Sequence, residues 1–501
     1  MLDLKSRQAG LIQVDPRDQV AVAVESLADG TVVEVAGRRV RALQVIPKGH
    51  KVALVPIAAG ADVLTFGWPI GRATAAIPAG AHVHSHNLET RLSGLETYDE
   101  VRRAGRAELT AHGDTFLGYR RADGRAGTRN EIWILPTVGC VARTAERIAR
   151  VANARLAGRV DGVYAFTHPF GCSQLGDDLG KTRKVLAALA AHPNAGGVLL
   201  VGLGCESNQL DRLRAELPAL DPGRVRAFAA QKVEDETQEG LAAIEALAAV
   251  AEKDKRVPCP ASGLSIGLKC GGSDGFSGLT ANPLVGRMAD CNAAEGGRPI
   301  LTEIPEIFGA ERILMARAAD DGVLQGIVRV VNDFKQYFID HHQPIYENPS
   351  PGNIAGGITT LEEKSLGAVQ KAGRAPIAQV LRYGERAEKA GLALLEAPGN
   401  DAVSSTALVA AGANILLFTT GRGTPLGFPV PTLKIASNSA LAEAKPRWID
   451  FDAGALAAGG SADEAAEALW ALILKTASGA WAKNELNDER VIALWKRGVT
   501  L

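Results

Sequence analysis

Nine histidines are spread over 501 residues, yet His82, His84 and His86 fall at every second position in AGAHVHSHN. In an extended segment, side chains two apart share a face, so these imidazoles would form one row. Such a row suits a divalent metal or proton transfer near neutral pH. A solvated edge strand with polar outer residues would carry the same pattern. Sulfur supplies the second chemical set. Cys140, Cys172, Cys205 and Cys270 close the apolar runs EIWILPTVGC, GVYAFTHPFGC, GVLLVGLGC and LSIGLKC, each ending in a glycine-containing loop. Thiolates bind iron and zinc, but none of these spacings is the short paired-cysteine signature of a zinc ribbon or bacterial ferredoxin. A shared metal therefore requires the fold to gather distant loops. Cys172, Cys205 and Cys270 lie among glycines and polar residues, and three such thiolates can hold an iron–sulfur cluster with one iron open to a ligand. Burial as ordinary core thiols is the competing outcome for each. Cys259 in RVPCPAS and Cys291 in MADCNAA read as packed or loop thiols.

Three polar loops accompany these groups. GLKCGGSDGFSGLTANP has five glycines with Ser273, Asp274, Ser277 and Asn282; glycines let backbone amides approach an anion closely. It lacks the Gly-Lys-Ser/Thr of a nucleotide phosphate loop and the dinucleotide fingerprint. A carboxylate or hydroxyl-rich ligand is favoured, with Ser273, Asp274 and Asn282 as its contacts. ENPSPGNIAGGITTLEEKSLGAVQKAG carries Glu347, Asn348, Asn353, Glu362, Glu363, Lys364 and Lys371 among helix breakers, the composition of a functional loop. Asn353 is a substrate-binding candidate there and Lys364 a catalytic one. TTLEEKSLG also reads as a capped surface helix, the preferred reading for Glu362 and Glu363. In TTGRGTPLGFP, Arg422 ends a strand, where its fork can grip a carboxylate. Arg125 and Arg129, just before a strand, are as readily explained by solvation.

The elements that must position these residues fall into blocks. Up to about residue 95, runs such as VAVAVESL, TVVEV and HKVALVPI alternate with glycine turns, as in a β-rich module of short strands. Residues 96–115 are polar and serve as a linker. From 116 to 390, apolar runs alternate with helical segments such as RTAERIARVANARLA and LGKTRKVLAALAAH, the pattern of an α/β fold with mostly parallel sheets. Residues 391–501 form a second α/β subdomain, in which NDAVSSTALVAAGA is a helix capped by Asn400 or Asp401. In parallel sheets the strand carboxyl ends carry the ligand crevice, so all four strand-terminal cysteines are expected on one edge of the sheet.

Composition narrows the class. With 46% hydrophobic residues the chain can bury large cores. Its 55 Lys and Arg against 56 Asp and Glu leave a net charge of −1 with no basic tail, which argues against nucleic acid as a partner. The opening MLDLKSRQAG lacks a signal-peptide core, and no segment offers roughly 18 unbroken apolar residues. A cytoplasmic protein with no membrane partner is expected. Self-association is allowed but not specified.

Taken together, AGAHVHSHN, GTRNEIWILPTVGC, GCSQLGDD, GLGCESNQ, CGGSDGFSGLTANP, LTEIPEIFGAE, IYENPSPGN, GGITTLEEKSLG, APGNDAV and FTTGRGTP resemble the altronate/galactarate dehydratase family of sugar-acid dehydratases, with sulfolactate sulfo-lyase a more distant member. The resemblance runs through nearly the whole chain and is finest to the altronate branch. It implies an N-terminal SAF-type module ahead of a dehydratase region. It also implies dehydration of D-altronate to 2-dehydro-3-deoxy-D-gluconate in hexuronate (galacturonate) breakdown, with galactarate or sulfolactate chemistry as the alternative, and a requirement for Fe2+ or, in its place, Mn2+. On that reading His84 and His86 are metal ligands or an acid/base pair, with His82 the weaker third. Cys172, Cys205 and Cys270 are the competing metal set, as an iron–sulfur cluster.

Overall fold

A computed structural model of the chain describes residues 7–8, 10–98, 101, 103–105 and 107–501. In the N-terminal module the strands Arg7–Gln8, Leu11–Ile12, Val20–Ala23, Lys51–Ala53 and His82–Val83 pair antiparallel, in that order, as one sheet. The hairpin Val32–Val35 with Arg38–Arg41 and a three-stranded sheet in which Trp68–Ala73 pairs with both Asp62–Thr65 and Leu88–Glu89 complete its β-rich structure. Alternation works as the pleat demands: Val33 and Val35 are buried while Val32 and Glu34 face water. The inward valines join Leu11, Ala21, Val40, Ile46 and Val52 in a small core. Among the described residues of the expected linker, no helix or strand occurs before Thr115. Residues 99, 100, 102 and 106 of that linker lie outside the described residues.

The middle region is built on four parallel strands, β1 (Glu131–Pro136), β2 (Val163–Ala165), β3 (Ala195–Gly202) and β4 (Val225–Ala229), in the spatial order β2-β1-β3-β4. Every residue of β1 is buried, as expected for strands covered by helices on both faces. The third region is a seven-stranded parallel sheet: β5 (Ser265–Cys270), β6 (Arg298–Leu301), β7 (Ile377–Leu381), β8 (Leu392–Leu395), β9 (Ile415–Thr420), β10 (Thr432–Ala436) and β11 (Phe451–Asp452), ordered β7-β8-β6-β5-β9-β10-β11. This corrects the expected boundary between 390 and 391. β7 pairs with β8 and β5 with β9, so that boundary would cut one sheet and one core. The real break falls between the helix Glu236–Ala251 and β5. Asn400 caps the helix Asp401–Ala410 by accepting from the amides of Ala402 and Val403, as the sequence suggested. No helix among the described residues is long and apolar enough to cross a membrane.

The β-rich module is anchored on the third region by the helix Leu361–Ala368. Thr360 caps it through the amide of Glu363, but every residue in it is buried, so the expected surface helix is overturned. Tertiary packing covers both of its acidic residues. Glu362 accepts from the Thr90 hydroxyl at 2.9 Å and the Arg91 amide at 2.6 Å. Glu363 accepts from Lys51 Nζ at 2.7 Å, and Lys51, with no exposed surface, also donates to the Gly357 carbonyl at 2.7 Å. The two regions approach closely enough that a Cβ on Gly275 would sit 2.1 Å from the Gly49 carbonyl oxygen; only glycine fits there. Arg129, likewise, is not solvated. It is 1% exposed and grips Glu485 through two bonds of 2.7 Å.

Breaking one partner of a buried ion pair leaves the other charge stranded, at a cost of about 3–5 kcal/mol. Lys51→Met should lower unfolding stability by about that amount in a denaturant titration. The double variant Lys51→Met/Glu363→Met, which strands no charge, should recover part of the loss in the same denaturant titration.

Candidate active site

The histidine row survives although its strand does not. The strand ends after Val83, and a turn closed by Asn87 takes over: the Asn87 side chain accepts from the His84 amide at 2.9 Å and donates to the His82 carbonyl at 3.0 Å. The rings of His82 and His84 stack with centroids 5.2 Å apart, and His86 lies 5.5 Å from His82. A fourth imidazole joins them. His50 precedes the strand Lys51–Ala53, which pairs with His82–Val83. Its Nδ1 is 3.0 Å from His82 Nε2, and its ring stacks on His84 at 4.9 Å. Sequence reading missed His50, although IPKGHKV and IPAGAHV carry the same turn before a histidine.

Burial, with the neighbouring imidazoles, pushes His82 down to about 3 and lowers His50 and His84 as well, so these three rings are neutral at physiological pH. Their outer nitrogens are committed. His84 Nε2 donates to the Ile354 carbonyl at 3.0 Å and His50 Nε2 to that of Ala355 at 3.4 Å. A neutral ring whose one nitrogen donates to a carbonyl keeps a lone pair on the other, the arrangement that orients metal-binding histidines. Two nitrogens 3.0 Å apart also match two adjacent ligands of one ion, each roughly 2.1 Å from it. Imidazole nitrogen suits iron or manganese by type, but only this pair is close enough as the rings stand: among the described residues no third histidine nitrogen joins them within 4.8 Å. His84 Nδ1 is 3.0 Å from the Ser85 hydroxyl, so a three-histidine site would require the rings of His84 or His86 to turn.

The carbonyls that hold these rings belong to the short helix Pro351–Ala355, capped reciprocally by Ser350 and Asn353. Its other side faces a lysine. Lys364 Nζ donates to Glu306 at 3.0 Å, to the Asn348 side chain at 2.8 Å and to that of Asn353 at 3.3 Å. Asn353 also donates to the Ser273 carbonyl at 2.8 Å. One short helix thus links the imidazoles, through its carbonyls, to Lys364, through the Asn353 side chain. Arg422 reaches the same helix, donating to the Gly352 carbonyl at 3.3 Å, and otherwise stands exposed. The Ser273 hydroxyl, although buried, makes no hydrogen bond among the described residues. Asp274 and Asn282 line a small cavity with Ser273 and Lys364 and also carry structural hydrogen bonds. Asp274 accepts from the hydroxyls of Ser277 and Ser437 and from the Asn438 amide. Asn282 joins the Gly367 carbonyl to the Thr419 hydroxyl.

Behind Lys364 lies a buried charge network. Lys371 Nζ is 2.7 Å from Cys270 Sγ and 3.0 Å from Glu303, while Lys269 bonds to Glu303 and, at 2.7 Å, to Asp401. Three ammoniums face three carboxylates, those of Glu303, Glu306 and Asp401. Burial pushes the Cys270 thiol up to about 12, so it stays protonated and donates to Glu303 and Glu306. Burial alone would raise Glu306 too, but Lys364, Lys269 and Lys371 outweigh it and hold its pKa below the ordinary carboxylate range. Cys270, Glu303 and Glu306 place their ligand atoms within 4.8 Å of one another. Even so, the surrounding ammoniums repel a cation, and the cluster is suited to holding and moving protons.

The expected thiolate set is not gathered. Cys270 ends β5, buried in the network just described, whereas Cys172 and Cys205 are exposed and contact Ser207 at 3.8 Å and Gln231 at 3.6 Å. Hydrogen bonds from the Ser207 backbone and hydroxyl hold the Cys172 thiol below its ordinary pKa.

Comparison with known families agrees with this division. Residues 9–91 match the altronate/galactarate dehydratase SAF domain, 118–252 the second domain of D-galactarate dehydratase/altronate hydrolase, and 261–500 the C-terminal region of D-galactarate/altronate dehydratase. Altronate dehydratase of Escherichia coli (strain K12) is 51% identical over 492 residues, covering 98% of this chain and 99% of that one. The chain belongs to the altronate/galactarate dehydratase family. Altronate dehydratase of Bacillus subtilis (strain 168) is 48% identical over 98% of this chain and 99% of its own. Galactarate dehydratase (L-threo-forming) of E. coli is 34% identical over 87% and 86%. As a family member the chain is a hydro-lyase acting on sugar acids, and dehydration demands a group that moves a proton. Lys364, hydrogen-bonded to Glu306, is the candidate for that group.

Lys364→Met should reduce kcat by roughly 10²- to 10⁴-fold, the usual worth of one acid–base group, while circular dichroism remains unchanged. Glu306→Gln should fall in the same range, and Lys364→Arg should not rescue turnover, because a guanidinium does not exchange its proton near neutral pH. Steady-state kinetics of 2-keto acid formation check all three.

Proposed function

We propose that the chain dehydrates D-altronate to 2-dehydro-3-deoxy-D-gluconate in hexuronate breakdown, using Fe2+, or Mn2+ in its place, held by His82, His84 and His86 together with His50. The observation that carries the reading is the helix Pro351–Ala355, whose carbonyls orient His50 and His84 while its Asn353 contacts Lys364. The choice of altronate over galactarate is supported by identities of 51% and 48% against 34%.

Removing water across C2 and C3 of an aldonate requires loss of a weakly acidic proton beside a carboxylate and departure of hydroxide. Bound ferrous iron would supply Lewis acidity toward the carboxylate and hydroxyl oxygens. The protein's own groups do the rest. Arg422, exposed and bonded to the Gly352 carbonyl, offers a guanidinium fork to the substrate carboxylate. The Ser273 hydroxyl offers a donor and acceptor to sugar hydroxyls. Lys364 exchanges the proton, with Asn348, Asn353 and Glu306 fixing the position of its nitrogen. The network of Lys269, Lys371, Glu303 and Cys270 behind Glu306 buffers the change in charge. The enol product becomes the 2-keto acid without further help from the protein.

Chelation should abolish turnover, and adding back iron or manganese, but not calcium, should restore it. His84→Ala should lose both the bound metal and the restoration. With altronate, galactarate and sulfolactate assayed in parallel, altronate should show the highest kcat/KM. Full activity in chelated enzyme would remove the metal from the reading, and preference for another acid would remove the substrate.

A further inference from the structure

Three thiols stand at the carboxyl edge of the four-stranded sheet, outside the site described above. Its order β2-β1-β3-β4 reverses between β1 and β3. In open parallel sheets, ligands bind in the crevice beyond the strand carboxyl ends at that reversal. Cys140 follows β1, Cys172 follows β2 and Cys205 follows β3, so the three adjacent strands deliver one sulfur each. All three are exposed, although free cysteine is among the residues most often buried. Cys140 also sits just ahead of the helix Ala142–Arg155.

The loops that carry them are locked to one another. The Gly139 amide donates to the Phe170 carbonyl and the Asn208 amide to that of Gly171, each at 2.9 Å. The Asn208 side chain donates to the Thr137 carbonyl at 3.1 Å. Glu206 accepts from the Thr137 hydroxyl at 2.6 Å and from the Gly204 amide at 2.6 Å. Gly171 has φ +101°, and a Cβ there would lie 2.1 Å from the Thr137 carbonyl oxygen. Only glycine lets the Cys172 loop rest on the Cys140 loop. Cys172 Sγ in turn meets Ser207, two residues from Cys205, at 3.8 Å.

We propose that Cys140, Cys172 and Cys205 bind an iron–sulfur cluster through three thiolates, leaving one iron without a protein ligand. Cys140 takes the place that the sequence gave to Cys270. A single metal ion is the poorer occupant. Among the described residues the three donors close enough to share one ion are those of Cys270, Glu303 and Glu306, so the exposed sulfurs stand too far apart for zinc, which draws each thiolate to about 2.3 Å. A cubane cluster takes one thiolate per iron and spans a wider set. Ser207 and Gln231 lie against two of the sulfurs, and hydrogen bonds to cluster sulfurs tune such centres.

The test is anaerobic reconstitution of the full chain with ferrous iron and sulfide, read as acid-labile sulfide, iron and visible charge-transfer absorption. Wild type should bind sulfide in proportion to iron. Mild oxidation should release the unliganded iron and give a three-iron paramagnetic signal. Cys140→Ser, Cys172→Ser and Cys205→Ser should each lose the sulfide and the absorption with the fold intact by circular dichroism, while Cys270→Ser and His84→Ala should retain both. Wild type without labile sulfide, uptake of zinc alone, or retention of sulfide in the three serine variants would overturn the proposal. Because sulfide is read without turnover, failure here is distinguishable from failure of the histidine-bound metal.

Discussion

The ammonium of Lys51, stripped of water and held between Glu363 and the Gly357 carbonyl, is the interaction on which the site depends. A charge at zero exposure is tolerable only when paired and hydrogen-bonded, so the β-rich module and the third region can meet in one arrangement. That arrangement sets His50, next to Lys51, over the carbonyls of the helix Pro351–Ala355. It also fixes the buried helix Leu361–Ala368, in which Glu362 and Glu363 face the module and Lys364, the next residue, faces the site. Docking and chemistry are therefore consecutive residues of a single helix.

Two electrostatic regimes lie side by side in consequence. Around His50, His82 and His84, burial removes protons and leaves lone pairs, a condition that metals require of imidazole. Around Lys364, three ammoniums and three carboxylates balance inside the protein, and Glu306 stays ionised because the lysines outweigh its desolvation. Keeping these regimes apart is the work of the helix Pro351–Ala355, whose backbone serves the histidines and whose Asn353 side chain serves the lysine.

Legibility in the sequence followed the range of the interaction. The β-rich module, the parallel sheets, the Asn400 cap and the grouping of the histidines rest on local patterning and were readable. Glu362 and Glu363 were misplaced on a surface because amphipathic spacing cannot register partners 272 and 312 residues away that cover a polar face. The boundary at 390 failed for a related reason: strands β7 and β8 look like the end of one unit and the start of the next, yet they hydrogen-bond to each other. Asp274 and Asn282 have the chemistry to meet a ligand, but their hydrogen bonds to Ser437, Asn438, Gly367 and Thr419 were not legible locally. Cys270 was grouped with Cys172 and Cys205 because all three end apolar strands in glycine-rich loops, and nothing local shows that two different sheets are involved.

What the sequence determined by itself is the inventory: strands from alternation and apolar runs, turns from glycine, and the identity of every side chain able to bind a metal or move a proton. Family membership was also legible, since long motifs in order carry it. Only the tertiary structure decided which of those side chains meet. It brought His50 to the histidine row, Glu306 to Lys364 and Cys140 to the edge shared by Cys172 and Cys205. The physical reason is that strand order and domain docking are set by which buried surfaces and buried charges satisfy one another across the whole chain, and no local window of residues contains that information.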